Sequence, residues 1–146
     1  MDLFSVFDIS AAGMSVEQQK LAVTAANIAN ERTAQTADGS VYKPLSVSVY
    51  SSGKLNYNDI AQSISASELP RPVVAGVIAS NAPPRLVYDP GHPNADERGF
   101  VTLPAVDPVG SMMELMSIRR AYEANIQAFD ITRTLIQQTI DMGKAR

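Results

Sequence analysis

The 146-residue sequence has no cysteine, no tryptophan and one histidine, His92. Without thiols it can form neither disulfides nor thiolate metal sites, so stability in an oxidising compartment has to come from packing or from assembly. It also carries no nucleophile-elbow pattern and no glycine-rich phosphate loop, and Ser–His–Asp chemistry would have to be built on His92 alone. An excess of positive charge is missing as well. Twelve basic against fifteen acidic residues leave a net charge of −3 and a pI near 5.0, which argues against nucleic acid or anionic lipid as a partner. No apolar run approaches the roughly 20 residues that span a bilayer, so direct membrane insertion is not expected. Met1-Asp2-Leu3 opens without a basic n-region, an unbroken apolar core or a small-residue cleavage site, which argues against a cleaved secretory leader.

What the sequence does have is two matching ends. In residues 3–30 the positions spaced alternately three and four apart read Phe4, Phe7, Ala11, Met14, Gln18, Leu21, Ala25 and Ile28, a seam that would keep facing a partner helix. Residues 108–142 repeat the template with Met112, Leu115, Arg119, Tyr122, Ile126, Phe129, Arg133, Ile136 and Ile140. The first helix is expected from Leu3 to Asn30, with Gly13 and a second possible start at Ser15 inside it and Asn30 as a C-cap able to take the left-handed conformation. The second is expected to start at Pro108 behind the N-cap Asp107, with Ser111 and Glu114 as a backup capping box, and to end at Gly143.

The middle of the chain reads differently. From Val41 to Tyr50, Leu45, Val47 and Val49 alternate with Ser46, Ser48 and Tyr50, the pattern of a half-buried strand with Pro44 at its start or on an edge. Val73–Ala79, Arg85–Tyr88 and Phe100–Leu103 read as further strands. Ser51–Pro72 reads as a loop, and Asp89–Gly99 as a stiff one, because two prolines fix φ and two glycines allow reversal. The fold class is therefore α+β: long N- and C-terminal helices pair as a coiled-coil-like hairpin (residues 1–32 and 108–146), and a small β-rich module (33–107) is inserted between them.

The second helix carries more apolar surface than a hairpin partner can cover. At about 100° per residue, Tyr122, Ile126, Phe129, Ile136 and Ile140 occupy one side, and Ala121, Ala124, Ala128, Ile131, Leu135 and Met142 lie well over 90° away. Asn125, Thr132 and Thr139 fall between the rows. A surface helix hides one stripe of about 100°, so the second row points to further chains. A bland reading is that both rows serve a monomeric helical domain, with the central strands folded back over the extra face, and two readings from other classes also compete. In the first, a helical adaptor or export chaperone clasps one partner helix. In the second, a metal-dependent enzyme is centred on His92, which has Asp89, Asp96 and Glu97 nearby; that spacing fits neither a zinc pattern nor the calcium-loop template. No cofactor or metal is expected.

Three segments resemble the flagellar basal-body rod proteins. Ala26-Asn27-Ile28-Ala29-Asn30 is similar to the family's Asn-(Leu/Ile)-Ala-Asn motif. Tyr88-Asp89-Pro90-Gly91-His92-Pro93-Asn94-Ala95-Asp96 with Gly99-Phe100-Val101 resembles a rod-protein loop, and Arg120-Ala121-Tyr122-Glu123-Ala124-Asn125 resembles the C-terminal helix motif. The chain departs from the family where Ala105-Val106-Asp107 stands in place of the frequent Asn-Val-Asn.

The resemblance implies a structural, non-enzymatic subunit of the periplasmic rod, assembled with itself and other rod proteins into a torque-transmitting shaft. It further implies export through the flagellar type III apparatus without a cleaved signal peptide. The residues expected at the assembly interface are Phe4, Phe7, Met14, Leu21, Asn27, Ile28 and Asn30 on the first helix. On the second they are Arg120, Tyr122, Asn125, Ile126, Phe129, Ile131, Leu135 and Ile136. Asp89, Pro90, His92, Pro93, Asp96 and Gly99 are expected to form an intersubunit loop.

Overall fold

The computed structural model describes residues 3–34, 39–53 and 69–144. Two long helices bracket four strands. Helix α1 spans Leu3–Ala29 and α2 spans Pro108–Lys144. Between them lie β1 (Leu45–Ser52), β2 (Arg71–Ala79), β3 (Arg85–Tyr88) and β4 (Phe100–Leu103), in two two-stranded sheets, β1 with β2 and β3 with β4. The fold class is α+β, as the sequence pattern indicates.

α1 contains no proline and is rich in alanine, so its 27 residues run through Gly13 as one helix of about 40 Å, with no second start at Ser15. Asn30 closes it by hydrogen bonding: its side-chain amide donates to the Ala26 carbonyl at 2.8 Å, and its Oδ1 accepts from the Thr33 hydroxyl at 3.2 Å. α2 starts where Asp107 caps it. The Asp107 carboxylate accepts from the Val109 N–H at 3.2 Å and its carbonyl from the Ser111 N–H at 2.9 Å, while Pro108 occupies a position whose N–H has no helical partner. The backup start at Ser111 is therefore not used, and the helix continues through Gly143 to Lys144, whose charge suits the C-terminal dipole.

The strands are shifted relative to the sequence pattern. β1 begins at Leu45, after Pro44, and extends to Ser52; β2 begins at Arg71. Ser51, Ser52, Arg71 and Pro72, expected in a loop, thus belong to the ribbon. The reason is cross-strand hydrogen bonding that side-chain alternation cannot reveal. The Ser80 N–H donates to the Pro44 carbonyl at 2.7 Å, the Ser46 hydroxyl to the Ile78 carbonyl, and the Ser52 hydroxyl to the Arg71 carbonyl, which sets the two strands antiparallel. The rest of that expected loop, residues 54–68, lies outside the described residues. β3 and β4 are antiparallel in the register Arg85–Leu103, Leu86–Thr102, Val87–Val101 and Tyr88–Phe100.

Contacts gather the chain into two units, one of residues 1–19, 48–76 and 118–146, the other of residues 20–47 and 77–117. Among the described residues, the first has Val16 and Ile118 as its buried apolar side chains, and the second has Val101, Val106 and Pro104.

Candidate assembly surface

Within the first unit the N-terminal part of α1 runs antiparallel to the C-terminal part of α2. Phe7 meets Phe129 with ring centroids 4.5 Å apart and planes inclined by 57°. Two turns further along α1, Gly13 lies against Asn125, so closely that a Cβ on Gly13 would stand 2.9 Å from the Asn125 amide nitrogen and oxygen. Asn125 is held in place by donating to the Ala121 carbonyl at 3.0 Å.

The buried line on α1 is one residue over from the apolar row. Ser5, Ser10, Gly13, Val16, Thr24 and Asn27 are buried, whereas Ala11, Gln18, Leu21 and Ala25 of the expected seam are exposed. On α2 the buried line passes through Ile118 and Thr132, with Asn125 half-buried between them, and Thr132 returns its hydroxyl to the Ala128 carbonyl at 2.8 Å. Apart from Val16 and Ile118, the inward-facing positions are thus small or polar, and small side chains let helix backbones come close. The apolar rows flank this line. Tyr122, Phe129 and Ile136 are half-buried; Ile126, Ile131, Leu135, Ile140 and Met142 are exposed. A reading led by the large apolar residues passes over Ser5, Ser10 and Gly13 as inward-facing positions. The steps of three from Ser10 through Gly13 to Val16, and from Thr24 to Asn27, are the available signal.

Of the other assembly candidates, Phe7, Met14 and Ile28 are half-buried, Leu21 and Arg120 are exposed, and the Phe4 side chain lies outside the described residues. Asn27 is engaged inside the second unit. Its amide donates to the Leu45 carbonyl at 2.7 Å, and its Oδ1 accepts from the Leu45 N–H at 2.8 Å and the Tyr42 hydroxyl at 2.9 Å. A side-chain amide has the donor and acceptor of a peptide, so Asn27 pairs with Leu45 as a neighbouring strand would and fixes β1 to the end of α1. Burial pushes the Tyr42 hydroxyl above its ordinary pKa of 10.0. Arg85 of β3 reaches Glu31 at 3.3 Å, a partly exposed pair worth about 0–1 kcal/mol.

The proline-bracketed loop uses its acidic groups on its own backbone. Asp89 Oδ1 accepts from the Gly91 N–H at 3.2 Å, and Asp96 Oδ1 from the Arg98 and Phe100 N–H groups at 2.9 and 2.8 Å. His92 Nδ1 accepts from the Asn94 N–H at 3.1 Å. Gly99 has φ of 80°, and a Cβ there would stand 3.0 Å from the Tyr88 ring and 3.1 Å from Pro90, so only glycine fits without strain. Among the described residues no three His, Asp or Glu side chains converge on a point that could hold a metal ion. Asp89, Pro90, Pro93 and Asp96 are exposed and His92 half-buried.

Comparison with known proteins places both helices. Residues 7–34 match the family described as flagella basal body rod protein, and residues 97–142 the one described as flagellar basal body rod FlgEFG protein C-terminal. The chain is similar to the flagellar basal-body rod protein FlgC of Escherichia coli O157:H7, 35% identical over 144 residues covering 99% of this chain and 100% of the relative. Its similarity to the FlgC of Aquifex aeolicus is 34% over 146 residues, 99% of each chain. To that of Bacillus subtilis it is 30% over 150 residues, 99% of this chain and 100% of the relative.

Proposed function

Because the chain belongs to the flagellar basal-body rod protein family and is FlgC-like along its length, we propose that this structural rod subunit polymerises through the outer rows of its terminal helices to form the proximal drive shaft. The observation that carries the reading is the exposure of Ile126, Ile131, Leu135, Ile140 and Met142 beside a helix seam that is already closed by small and polar groups. Apolar area at about 25 cal/mol per Å² is a favourable surface to bury against neighbouring subunits, and side chains that rest on several neighbours carry load as shear between packed helices. Asn27 and the loop around Asp96 hold the β strands and the loop in fixed geometry, and the exposed Asp89–Asp96 face acts as a spacer between subunits. The neighbours are other copies and other rod proteins, the location is the periplasmic part of the basal body, and delivery runs through the flagellar type III export apparatus with no leader removed.

Charge placed on the outer row tests this. Ile131→Asp and Leu135→Asp both fall on exposed positions, where a surface substitution changes stability by about 0.5 kcal/mol or less. The expected result is an isolated subunit with an unchanged melting temperature that is missing from purified basal bodies and leaves cells non-motile. Incorporation of both variants at the parent's level removes the outer row from the interface.

A further inference from the structure

Three of the six methionines stand together on the first two turns of α2. Met112, Met113 and Met116 are 53, 63 and 61% exposed, and Val109 beside them is exposed too. Positions 109, 112, 113 and 116 are related by steps of three and four, so the four side chains share one helix face. The buried groups of the same unit, Val101, Pro104 and Val106, precede the helix. The other methionines give an internal scale: Met142 is exposed and isolated in the last turn, while Met14 is half-buried next to Gly13, on the helix seam.

We propose that Met112, Met113 and Met116 form a reversible oxidation site, at which a peroxide converts an apolar helix face into a polar one without disturbing the fold. The thioether sulfur attacks one peroxide oxygen. An S–O bond forms, the O–O bond breaks, and the leaving hydroxide takes a proton to become water; sulfur is oxidised to the sulfoxide and the peroxide reduced. A thioether has no proton to lose, so access governs its rate, and access ranks these three with Met142 and ahead of Met14. Each sulfoxide puts a strong hydrogen-bond acceptor where a methylthioether stood, and sulfoxide reductases return it to the thioether at the expense of a dithiol, which is oxidised to a disulfide while the oxygen leaves as water. With three in one helical turn and a half, the change is concentrated on one face.

The inference is independent of rod assembly and is tested on the isolated full chain with dilute hydrogen peroxide. Peptide mass spectrometry should show Met112, Met113 and Met116 oxidised several-fold faster than Met14 and at the pace of Met142. The melting temperature should stay within about one degree, elution from a hydrophobic-interaction column should advance, and treatment with the two methionine sulfoxide reductases and a dithiol reductant should restore the original elution. The Met112→Leu, Met113→Leu, Met116→Leu triple variant keeps the apolar face and should lose most of the peroxide-dependent shift. Oxidation of the three no faster than that of Met14, melting that falls in step with their oxidation, or an undiminished shift in the triple variant would overturn the proposal.

Discussion

Asn27 and Asn125, one in each terminal-helix motif, act through different properties of the same side chain. Asn27 uses its amide as a peptide surrogate, satisfying both the N–H and the C=O of Leu45 and accepting the Tyr42 hydroxyl. Asn27→Asp keeps the acceptor and loses the donor, leaving the Leu45 carbonyl facing a carboxylate; a cost of about 1–3 kcal/mol is expected, read as a lower denaturation midpoint with an unchanged slope. Tyr42 adds a pH dependence. Its folded pKa is raised above 10.0 by burial, so the folded chain holds the phenol proton more tightly than the unfolded chain does. The stability this contributes is fully present below the unfolded value and is lost as pH rises through the folded one, where a phenolate can no longer donate to Asn27. Tyr42→Phe should be less stable than the parent at neutral pH by about 1 kcal/mol. The difference should shrink once pH passes 10.0. A difference that stays constant from neutral to alkaline pH would show that the hydroxyl does not donate to Asn27.

At the scale of elements the helix seam is decided by Gly13 and Asn125. Glycine inside a helix costs about 1 kcal/mol relative to alanine, and here it is retained where a Cβ would press on an amide already committed to Ala121. Gly13→Ala in the parent should destabilise by about 1 kcal/mol as overpacking outweighs propensity. In an Asn125→Ala background the same substitution should stabilise by about 1 kcal/mol. A sign that does not reverse across the cycle would separate the two residues. This seam also marks how far the sequence could be read. Helix starts and stops follow local chemistry, so Asp107, Pro108 and Asn30 were legible, as were β3 and β4, whose ends are set by turn residues. The face a long helix turns inward was not. Large apolar residues suggest burial through hydrophobicity, whereas Ser10 and Gly13 are inside because small size permits close approach, and Thr132 because its hydroxyl finds a partner in the Ala128 carbonyl. The strand ends at Ser52 and Arg71 were hidden for a related reason: hydrogen bonding to a distant strand leaves no periodic mark on exposed serines.

Across the whole molecule, charge is too weak to organise association and apolar surface is abundant. A net charge of −3 provides little self-repulsion, and on the polar arc of α2 Arg119 pairs with Glu123 at 2.8 Å, both side chains well exposed. Such a pair is worth about 0.3–0.5 kcal/mol and is screened by salt. Burying rows such as Ile126, Ile131 and Leu135 is instead driven near room temperature by the entropy of released water and carries a negative heat-capacity change. The two sources of association therefore respond to solvent in opposite ways. If the apolar rows dominate, addition of subunits to a growing assembly should strengthen on warming from the cold to room temperature. It should also strengthen in sulfate and hold at sodium chloride concentrations that shorten the Debye length to about 3 Å. Light scattering across a temperature and salt grid reads this directly. Association that weakens steadily with added chloride would transfer the interface from the apolar rows to the arc of Arg119, Arg120 and Arg133, and the outer-row aspartate variants would then be expected to assemble normally.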